Sequence, residues 1–294
     1  QTRMILGTDG GLFYSTDNGA TFISKNRNLG IKQFYSAAIH PTAGSPYLLA
    51  GAQDNGTHQL KNAGLSYSIE VTGGDGCIVH INQQNPLIQY GSYVYNQYRR
   101  TTNGGNTWAS INLSGSTGQF VNPFDYDDAQ NIMYCGNSAG TVRRWDNANT
   151  SGTSTVFTVT NMTGSLLSVK YSPYTANRIF FGTNNGRLFR LDDANTAASV
   201  AATDITGASF PGGTIICVNT GTDDNNLVAT YSNYGVSSVW LSSNGGTSWT
   251  AIEGDLPDMP VRWAMFEPGS NAKLYLATEA GIYTTTNIAG AATN

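Results

Sequence analysis

Residues 179–182 are Ile-Phe-Phe-Gly, an apolar run that ends in glycine and is followed by a short polar turn and a second apolar run. The same unit, with Gly or Ala at its end, occurs seven times along the chain. The Gly or Ala that marks each copy lies at positions 7, 51, 91, 136, 182, 229 and 277. The copies are 40 to 48 residues apart, and a period in the forties is typical of small sheets that repeat radially around an axis.

Strand-sized segments surround each marker at regular offsets, so four strands can be predicted for a complete copy. In the fifth copy, for example, Leu166–Tyr171 is a first strand and Arg187–Leu191 is a third strand. The chain starts at a second strand and stops after a third strand. We therefore expect an all-β fold, a β-propeller of about seven four-stranded blades whose first and last blades are incomplete.

We expect residues 1–294 to form this single propeller domain. The strand register at the two ends suggests that the polypeptide has flanking domains or that the termini share a blade, because an unpaired strand edge promotes aggregation. A slice of a larger propeller would have the same register.

The composition fits many short strands joined by tight turns. Charged residues make up 12% of the chain, compared with roughly 25% in ordinary globular proteins, and there are 34 glycines. The net charge of −4 argues against a nucleic-acid partner, which requires a basic surface. No apolar run reaches the roughly 18 residues that a membrane span needs. Low Lys with high Asn, Thr and Gly favours a secreted or cell-surface location.

Three cysteines lie inside strand-like runs, at Cys77, Cys135 and Cys217. Their wide spacing matches neither a disulfide framework nor the close pairs of a metal site. We expect them to be buried thiols that act as small apolar residues.

Three turns between predicted third and fourth strands share one pattern: Ser15–Phe22, Thr101–Trp108 and Ser242–Trp249. In each turn an Asp or Asn side chain can accept hydrogen bonds from nearby backbone N–H groups. A glycine can take the positive φ that other residues avoid, and the final aromatic can bury a large area. The residues expected to have these roles are Asp17, Gly19, Phe22, Asn103, Gly105, Trp108, Asn244, Gly246 and Trp249.

This pattern resembles the Asp-box, Ser-x-Asp-x-Gly-x-x-Trp, of Asp-box (BNR) repeat propellers. The chain as a whole looks most similar to the sortilin-like (Vps10-type) and xyloglucanase-like propellers of large secreted bacterial (Bacteroidetes-type) proteins. The resemblance implies that the boxes are structural and lie on the rim away from the ligand. Calcium binding by these turns is the alternative, but Asn103 and Asn244 lower their negative charge. We otherwise expect no cofactor and no metal.

The resemblance to propellers also indicates where a ligand would bind. Second-to-third turns and fourth-to-first connections emerge on one face of such a fold, and loops of this kind carry function. Tyr and Asn side chains there suit contact with a peptide or sugar, although turn chemistry explains the Asn residues equally well. The candidate binding residues are Asp54, Asn55, Asp75, Tyr93, Tyr95, Tyr231, Tyr234 and Glu279.

Three functions fit these observations. The leading interpretation is a non-catalytic extracellular or cell-surface module that binds protein or polysaccharide partners. The first alternative is a glycoside hydrolase of the xyloglucanase-like type, which would use Asp54 and Asp75 as its carboxyl pair, with Glu279 or Asp9 as replacements. The second alternative is a structural subunit of an extracellular assembly whose neighbours fill the incomplete end blades.

Overall fold

The computed structural model describes residues 2–8, 10–26, 32–64, 66–285 and 287–288. These residues form 27 strands in seven sheets. The predicted all-β propeller is confirmed, and the first and last sheets have three strands each. The chain divides into two compact units, Gln1–Gly115 (unit 1) and Ser116–Asn294 (unit 2). The single domain over residues 1–294 stays a prediction.

Unit 1 contains sheets 1 to 3, and all pairs of neighbouring strands in it are antiparallel. Sheet 1 consists of β1 (Met4–Thr8), β2 (Gly11–Ser15) and β3 (Ile23–Ser24). Sheet 2 consists of β4 (Phe34–Ile39), β5 (Leu48–Ala52), β6 (Gly56–Leu60) and β7 (Ile69–Thr72). Sheet 3 consists of β8 (Val79–Ile81), β9 (Gln89–Ser92), β10 (Asn96–Thr101) and β11 (Ala109–Ser114).

Unit 2 contains sheets 4 to 7. Sheet 4 consists of β12 (Phe124–Asp127), β13 (Ile132–Gly136), β14 (Thr141–Asp146), β15 (Thr153–Val159) and β19 (Ser199–Val200), which is parallel to β15. Sheet 5 consists of β16 (Leu166–Tyr171), β17 (Ile179–Thr183), β18 (Leu188–Leu191) and β20 (Thr203–Asp204). Sheet 6 consists of β21 (Ile215–Thr220), β22 (Leu227–Tyr231), β23 (Val239–Ser242) and β24 (Thr250–Ala251). Sheet 7 consists of β25 (Val261–Phe266), β26 (Leu274–Thr278) and β27 (Gly281–Thr285).

The core of unit 2 lies between successive sheets. Phe180 and Phe181 are neighbours on β17 and are both fully buried, but each belongs to a different apolar cluster. Successive side chains of a strand point to opposite faces, so sheet 5 is covered by apolar residues on both sides. A strand buried on both faces reads as a continuous apolar run, which explains why the marker strands are detectable in the sequence. Truncating such a phenylalanine to alanine typically costs about 3–5 kcal/mol.

Polar side chains also tie adjacent sheets of unit 2 together. Asp224, in the turn between β21 and β22, accepts hydrogen bonds from the Ser172 and Thr175 hydroxyls at 2.6 Å each. Arg178 Nη1 lies 3.0 Å from the same carboxylate. All three donors come from the turn between β16 and β17 or from its end, so one carboxylate fastens sheet 6 to sheet 5.

The predicted environment of the cysteines is confirmed. Cys77, Cys135 and Cys217 are buried thiols. Burial raises the pKa of the Cys77 and Cys217 thiols to about 12. Both therefore stay protonated at neutral pH and are poor nucleophiles.

Candidate functional site

The box-like turn of sheet 1 is closed by its own side chains. Asp17 Oδ1 accepts hydrogen bonds from the Ser15 hydroxyl at 2.7 Å and from the Thr21 backbone N–H at 2.9 Å. The Thr21 hydroxyl donates to Asp17 Oδ2 at 2.6 Å. These bonds, led by the one from the Thr21 hydroxyl, lower the pKa of the Asp17 carboxyl to about 2.

The other two turns have the same geometry with Asn in place of Asp. Asn103 Oδ1 accepts from the Thr107 backbone N–H at 3.0 Å, and Asn244 Oδ1 accepts from the Ser248 backbone N–H at 2.9 Å. The side-chain nitrogen of each Asn donates to the hydroxyl of Thr107 or Ser248, both at 2.8 Å. The Thr107 and Ser248 hydroxyls are therefore acceptors in these two turns, whereas the Thr21 hydroxyl donates to Asp17. A neutral amide thus closes the same turn geometry as a carboxylate.

The glycine and the aromatic residue of a box contact the neighbouring sheet. In sheet 6, Trp249 Nε1 donates to the carbonyl of Ile205, which follows the last strand of sheet 5, at 2.8 Å. In sheet 3, the carbonyl of Gly105 accepts from Gln59 of sheet 2 at 3.1 Å. Phe22, the equivalent aromatic residue in sheet 1, is 41% exposed. Two boxes therefore fasten adjacent sheets. Within the ranges that the structure describes, no three or more His, Cys, Asp or Glu side chains come together as metal ligands.

In unit 1 the predicted residues Asp54 and Asp75 are brought together. Asp75 Oδ1 accepts a hydrogen bond from the Asp54 backbone N–H at 3.1 Å. Asp54 has a φ of 55°, a left-handed conformation that Asp tolerates better than most residues. The carboxylate of Asp75 thus fixes the turn between β5 and β6. Asp9, the predicted replacement, lies outside the described residues.

Three further predicted residues of unit 1 lie near this turn or in the turn of the next sheet. Tyr93 is half-buried with its ring against Gly74, and the Arg99 guanidinium lies 5.5 Å from the ring centroid. Tyr95 is half-buried at a φ of 56°. Asn55 donates its side-chain amide to the carbonyl of Gln53 at 2.9 Å.

A buried histidine lies beneath the same turn of sheet 2, although the sequence did not single it out as a site residue. His58 is 1% exposed, and its Nε2 lies 2.6 Å from the carbonyl oxygen of Asn55. Lys32 Nζ is 3.0 Å from that nitrogen. Burial first, and then the positive charge of Lys32, lower the pKa of His58. Because Nε2 must carry its proton to donate to the Asn55 carbonyl, it cannot also accept from Lys32, which acts on His58 through its charge.

In unit 2, hydrogen bonds link several of the turns and connections that were predicted to carry a ligand. We call these turns and connections the turn face of unit 2. Its segments are residues 184–187, 206–213, 232–235, 253–259 and Glu279. Asn233 Oδ1 accepts from the Thr214 backbone N–H at 2.8 Å, and Asp258 Oδ1 accepts from the Gly235 backbone N–H at 2.7 Å.

An open cleft of about 580 Å³ lies at one end of the turn face, lined by residues of sheet 5 and of the connection from β20 to β21. Arg187 and Asp204, both in its lining, form an ion pair. Phe210 lines the cleft. Its ring also packs against the rings of Trp240 and Trp249, with centroids 5.1 Å apart in both pairs. The lining of this open cleft offers both signs of charge beside an aromatic ring.

Tyr234 and Glu279, both predicted from the sequence, meet at the other end of the turn face. The Tyr234 hydroxyl donates to Glu279 Oε2 at 2.5 Å, and Arg262 Nη2 lies 2.5 Å from Glu279 Oε1. These two bonds, with Tyr234 first, lower the pKa of Glu279. Tyr234 is 62% exposed, so its ring is available to a partner.

One predicted binding residue is placed wrongly. Tyr231 is 0% exposed, because it ends β22 on the face that packs into the core. Its ring meets Phe210 edge-on, with centroids 5.8 Å apart. Its hydroxyl has no hydrogen-bond partner among the described residues. A ligand cannot reach this side chain, so Tyr231 is a core residue.

Sequence reasoning does not single out two arginines at this site, Arg187 and Arg262. The sequence pattern places both residues only in strands, because such a pattern does not indicate where a long side chain ends. A usable signal was present for Arg187, which directly follows the turn Asn184-Asn185-Gly186. The first residue after such a turn can project its charge back onto the turn face.

Comparisons with known proteins identify structural neighbours only. No known family profile matches the sequence, and no curated protein matches it significantly. YCF48 from Cyanidioschyzon merolae superposes with a TM-score of 0.64 at 15% identity, over 96% of this chain and 90% of that chain. YCF48 bound to D1 peptide gives 0.65 at 14% identity, over 96% and 87%. The computationally designed Ika8 protein gives 0.59 at 12% identity, over 98% and 81%. At such identities the likeness is one of fold, and the fold is that of a β-propeller.

Proposed function

We propose that this chain is a non-catalytic β-propeller module that binds a peptide segment of a protein partner on the turn face of unit 2. Two observations carry the proposal: the cleft with its Arg187–Asp204 pair, and the exposed Tyr234, both on turns of unit 2. Tyr and Arg are the residue types that contribute most to protein interfaces. Paired charges of both signs can bond the polar backbone of a peptide without requiring a strongly charged ligand.

The structural neighbours support a protein partner over a polysaccharide. YCF48 has the same fold, and one of its structures holds a D1 peptide. Within the part of the chain that the structure describes, no helix has the length and apolar character that crossing a membrane requires. A peptide presented by another protein is therefore the ligand that we propose, with no cofactor.

A displayed library of random peptides, selected on the immobilised chain, tests this function. We expect the selected peptides to bind the turn face, and Tyr234→Ala to weaken them by about tenfold or more, as the loss of a central aromatic side chain does. Tyr67→Ala is the matched control, because Tyr67 is 65% exposed and lies in unit 1. Selection of no peptide, or equal weakening by both variants, would refute the proposal.

We further propose, as predicted from composition, that the module works at the cell surface or after secretion. Its low charge and its abundance of Asn, Thr and Gly support this location. The resemblance of three turns to Asp-boxes supports it as well, since Asp-box propellers of this type belong to secreted proteins. Fractionation of the source cells with an antibody against the chain tests it, and recovery only from the cytoplasm would contradict it.

A further inference from the structure

The ring of Tyr234 is held in place but left uncovered. Its hydroxyl donates to Glu279 Oε2 at 2.5 Å, and Arg262 Nη2 binds the other oxygen of that carboxylate at 2.5 Å. These bonds fix one end of the ring, while Tyr234 as a whole stays 62% exposed. Within the part of the chain that the structure describes, neither another aromatic ring nor a Lys or Arg side chain lies over it. A fixed and uncovered aromatic face is therefore available to a ligand.

Two other tyrosines of unit 2 show what covers such a face in this chain. Lys273 Nζ lies 4.8 Å from the ring centroid of Tyr275 and 2.9 Å from Glu267 Oε1, the oxygen that also accepts from the Tyr275 hydroxyl. Lys170 Nζ likewise lies 4.8 Å from the ring centroid of Tyr171 and 3.2 Å from an aspartate carboxylate of sheet 4. Each ammonium group thus contacts a carboxylate and an aromatic face, whose quadrupole attracts a cation.

Asp258 supplies a carboxylate beside the uncovered ring of Tyr234. Its Oδ1 accepts a hydrogen bond from the backbone N–H of Gly235, the next residue, at 2.7 Å. The hydrogen bond to Glu279 is the main cause that raises the pKa of the Tyr234 hydroxyl, and the charge of Asp258 raises it further. Asp258 is exposed and forms no ion pair among the described residues. One oxygen of this carboxylate, Oδ2, is therefore available to a cation.

The charge around Tyr234 is negative and only partly compensated. Residues 253–258 are Glu-Gly-Asp-Leu-Pro-Asp, which contain three carboxylates and no cation. Glu279 raises the number of carboxylates to four, whereas one guanidinium, that of Arg262, is bound there. At the cleft, in contrast, the charge of Arg187 is paired with that of Asp204. Charge complementarity therefore favours a cationic group at the Tyr234 end of the turn face.

We propose that the peptide bound at the turn face places an arginine or lysine side chain on the Tyr234 ring, with its charge at Asp258 Oδ2. This inference rests on the proposed function and names the side chain that the site recognises. Glu279 is less suited to the role, because each of its oxygens already accepts a hydrogen bond. The Tyr234 ring alone would accept apolar and basic side chains alike, so the charge of Asp258 makes the site specific for a basic one.

A pair of capped synthetic peptides tests this recognition. The probes are acetyl-Ala-Ala-Arg-Ala-Ala-amide and the same peptide with citrulline, the neutral isostere of arginine, at its centre. Each probe is titrated into the ¹⁵N-labelled whole chain, and the Gly235 amide, which donates to Asp258, is followed by NMR. We expect the arginine probe to shift this amide and to bind about fivefold more tightly than the citrulline probe, which is the effect of an exposed cation–π contact.

Three substitutions show which groups recognise the charge. Asp258→Asn keeps an oxygen that can accept from Gly235 but removes the negative charge, and it should abolish most of the preference for arginine. Tyr234→Leu keeps an apolar side chain without the aromatic face and should do the same. Asp193→Asn is the matched control, because Asp193 is an exposed aspartate in the turn after β18 with a φ of 52°, which Asn also adopts. It removes the same charge and should keep the full preference.

Equal binding of the two probes to the unmodified chain would overturn the proposal. So would a preference for arginine that persists in Asp258→Asn, because another carboxylate would then provide the recognition. The probes need no selected peptide, so this recognition and the proposed function can fail separately. Peptides that are selected through Tyr234 but contain no Lys or Arg would overturn this inference and leave the proposed function intact.

Discussion

Two adjacent glycines in the turn between β23 and β24 allow the stability cost of backbone strain to be measured separately from the cost of overpacking. Gly245 and Gly246 have φ angles of 68° and 89°. A Cβ on Gly245 would come no closer than 3.6 Å to any neighbour, but on Gly246 it would lie 2.7 Å from Ile205 Cβ. We expect Gly245→Ala to cost about 1–2 kcal/mol for its left-handed backbone, and Gly246→Ala to cost about 1–3 kcal/mol more through overpacking.

Chemical denaturation of the two variants measures this difference as a change in the free energy of unfolding. Equal losses would mean that the box glycine is required for its backbone conformation alone. The contact with sheet 5 would then be incidental. Gly105→Ala, in the turn that contacts Gln59, should behave like Gly246→Ala.

The charge on Asp17 gives one box a pH dependence that the other two lack. Hydrogen bonds lower its pKa from 3.8 to about 2 in the folded chain. The carboxylate therefore stabilises the turn fully above pH about 4. That contribution falls as the pH drops through this window and is lost below about 2. Asp17→Asn should remove the dependence, because Asn103 closes an equivalent turn as a neutral amide.

Carboxyl-carbon NMR titration measures the pKa of Asp17 directly, and the Thr21 amide shift should follow the same curve. A midpoint near 4 would contradict the proposed hydrogen bonding. The amide of Thr107, in the turn closed by Asn103, is the internal control and should not titrate in this range.

At the scale of strands, the sequence predicts what depends on local pattern. β16 matches its predicted bounds, Leu166–Tyr171. The third strand of sheet 2 was not predicted, because Gly-Thr-His-Gln-Leu has little apolar alternation. β19 and β20 were missed because two residues carry no periodicity. Such short strands form only where tertiary contact provides a neighbour.

The sequence likewise predicts some features of the candidate site and not others. Turn positions follow from strand order, so Tyr234 with Glu279 and Asp54 with Asp75 could be placed on the same face in advance. Their partners could not, because Arg262 reaches Glu279 from a different strand. Burial of Tyr231 also escaped prediction, since a tyrosine at a strand end can point either to the core or to solvent.

Substitutions of Asp75 test whether its carboxylate stabilises the turn between β5 and β6. Asp75→Ala removes the acceptor of the Asp54 N–H, and we expect it to cost about 1 kcal/mol and to speed exchange of the Asp54 amide. Asp75→Asn keeps a carbonyl oxygen in place and should retain most of the protection. Polysaccharide hydrolysis that is lost in Asp75→Asn while the amide stays protected would instead favour the hydrolase alternative.

At the scale of the whole molecule, we expect units 1 and 2 to unfold together. A sheet of this kind buries its faces only against its neighbours, and repeats coupled in this way tend to unfold cooperatively. The chain has five tryptophans. Trp108 is the one in unit 1, whereas Trp145, Trp240, Trp249 and Trp263 lie in unit 2.

Incorporation of 5-fluorotryptophan gives each of these positions its own ¹⁹F signal. We expect the native signal of Trp108 to disappear at the same denaturant concentration as those of the unit 2 tryptophans, as the single-domain prediction requires. A separate, lower midpoint for Trp108 would make Gln1–Gly115 an independent domain. Trp263 is 46% exposed on β25, so a midpoint below that of Trp240 would mean instead that sheet 7 frays locally. Comparing Trp108 with the deeply buried Trp145 and Trp240 therefore separates domain independence from local fraying.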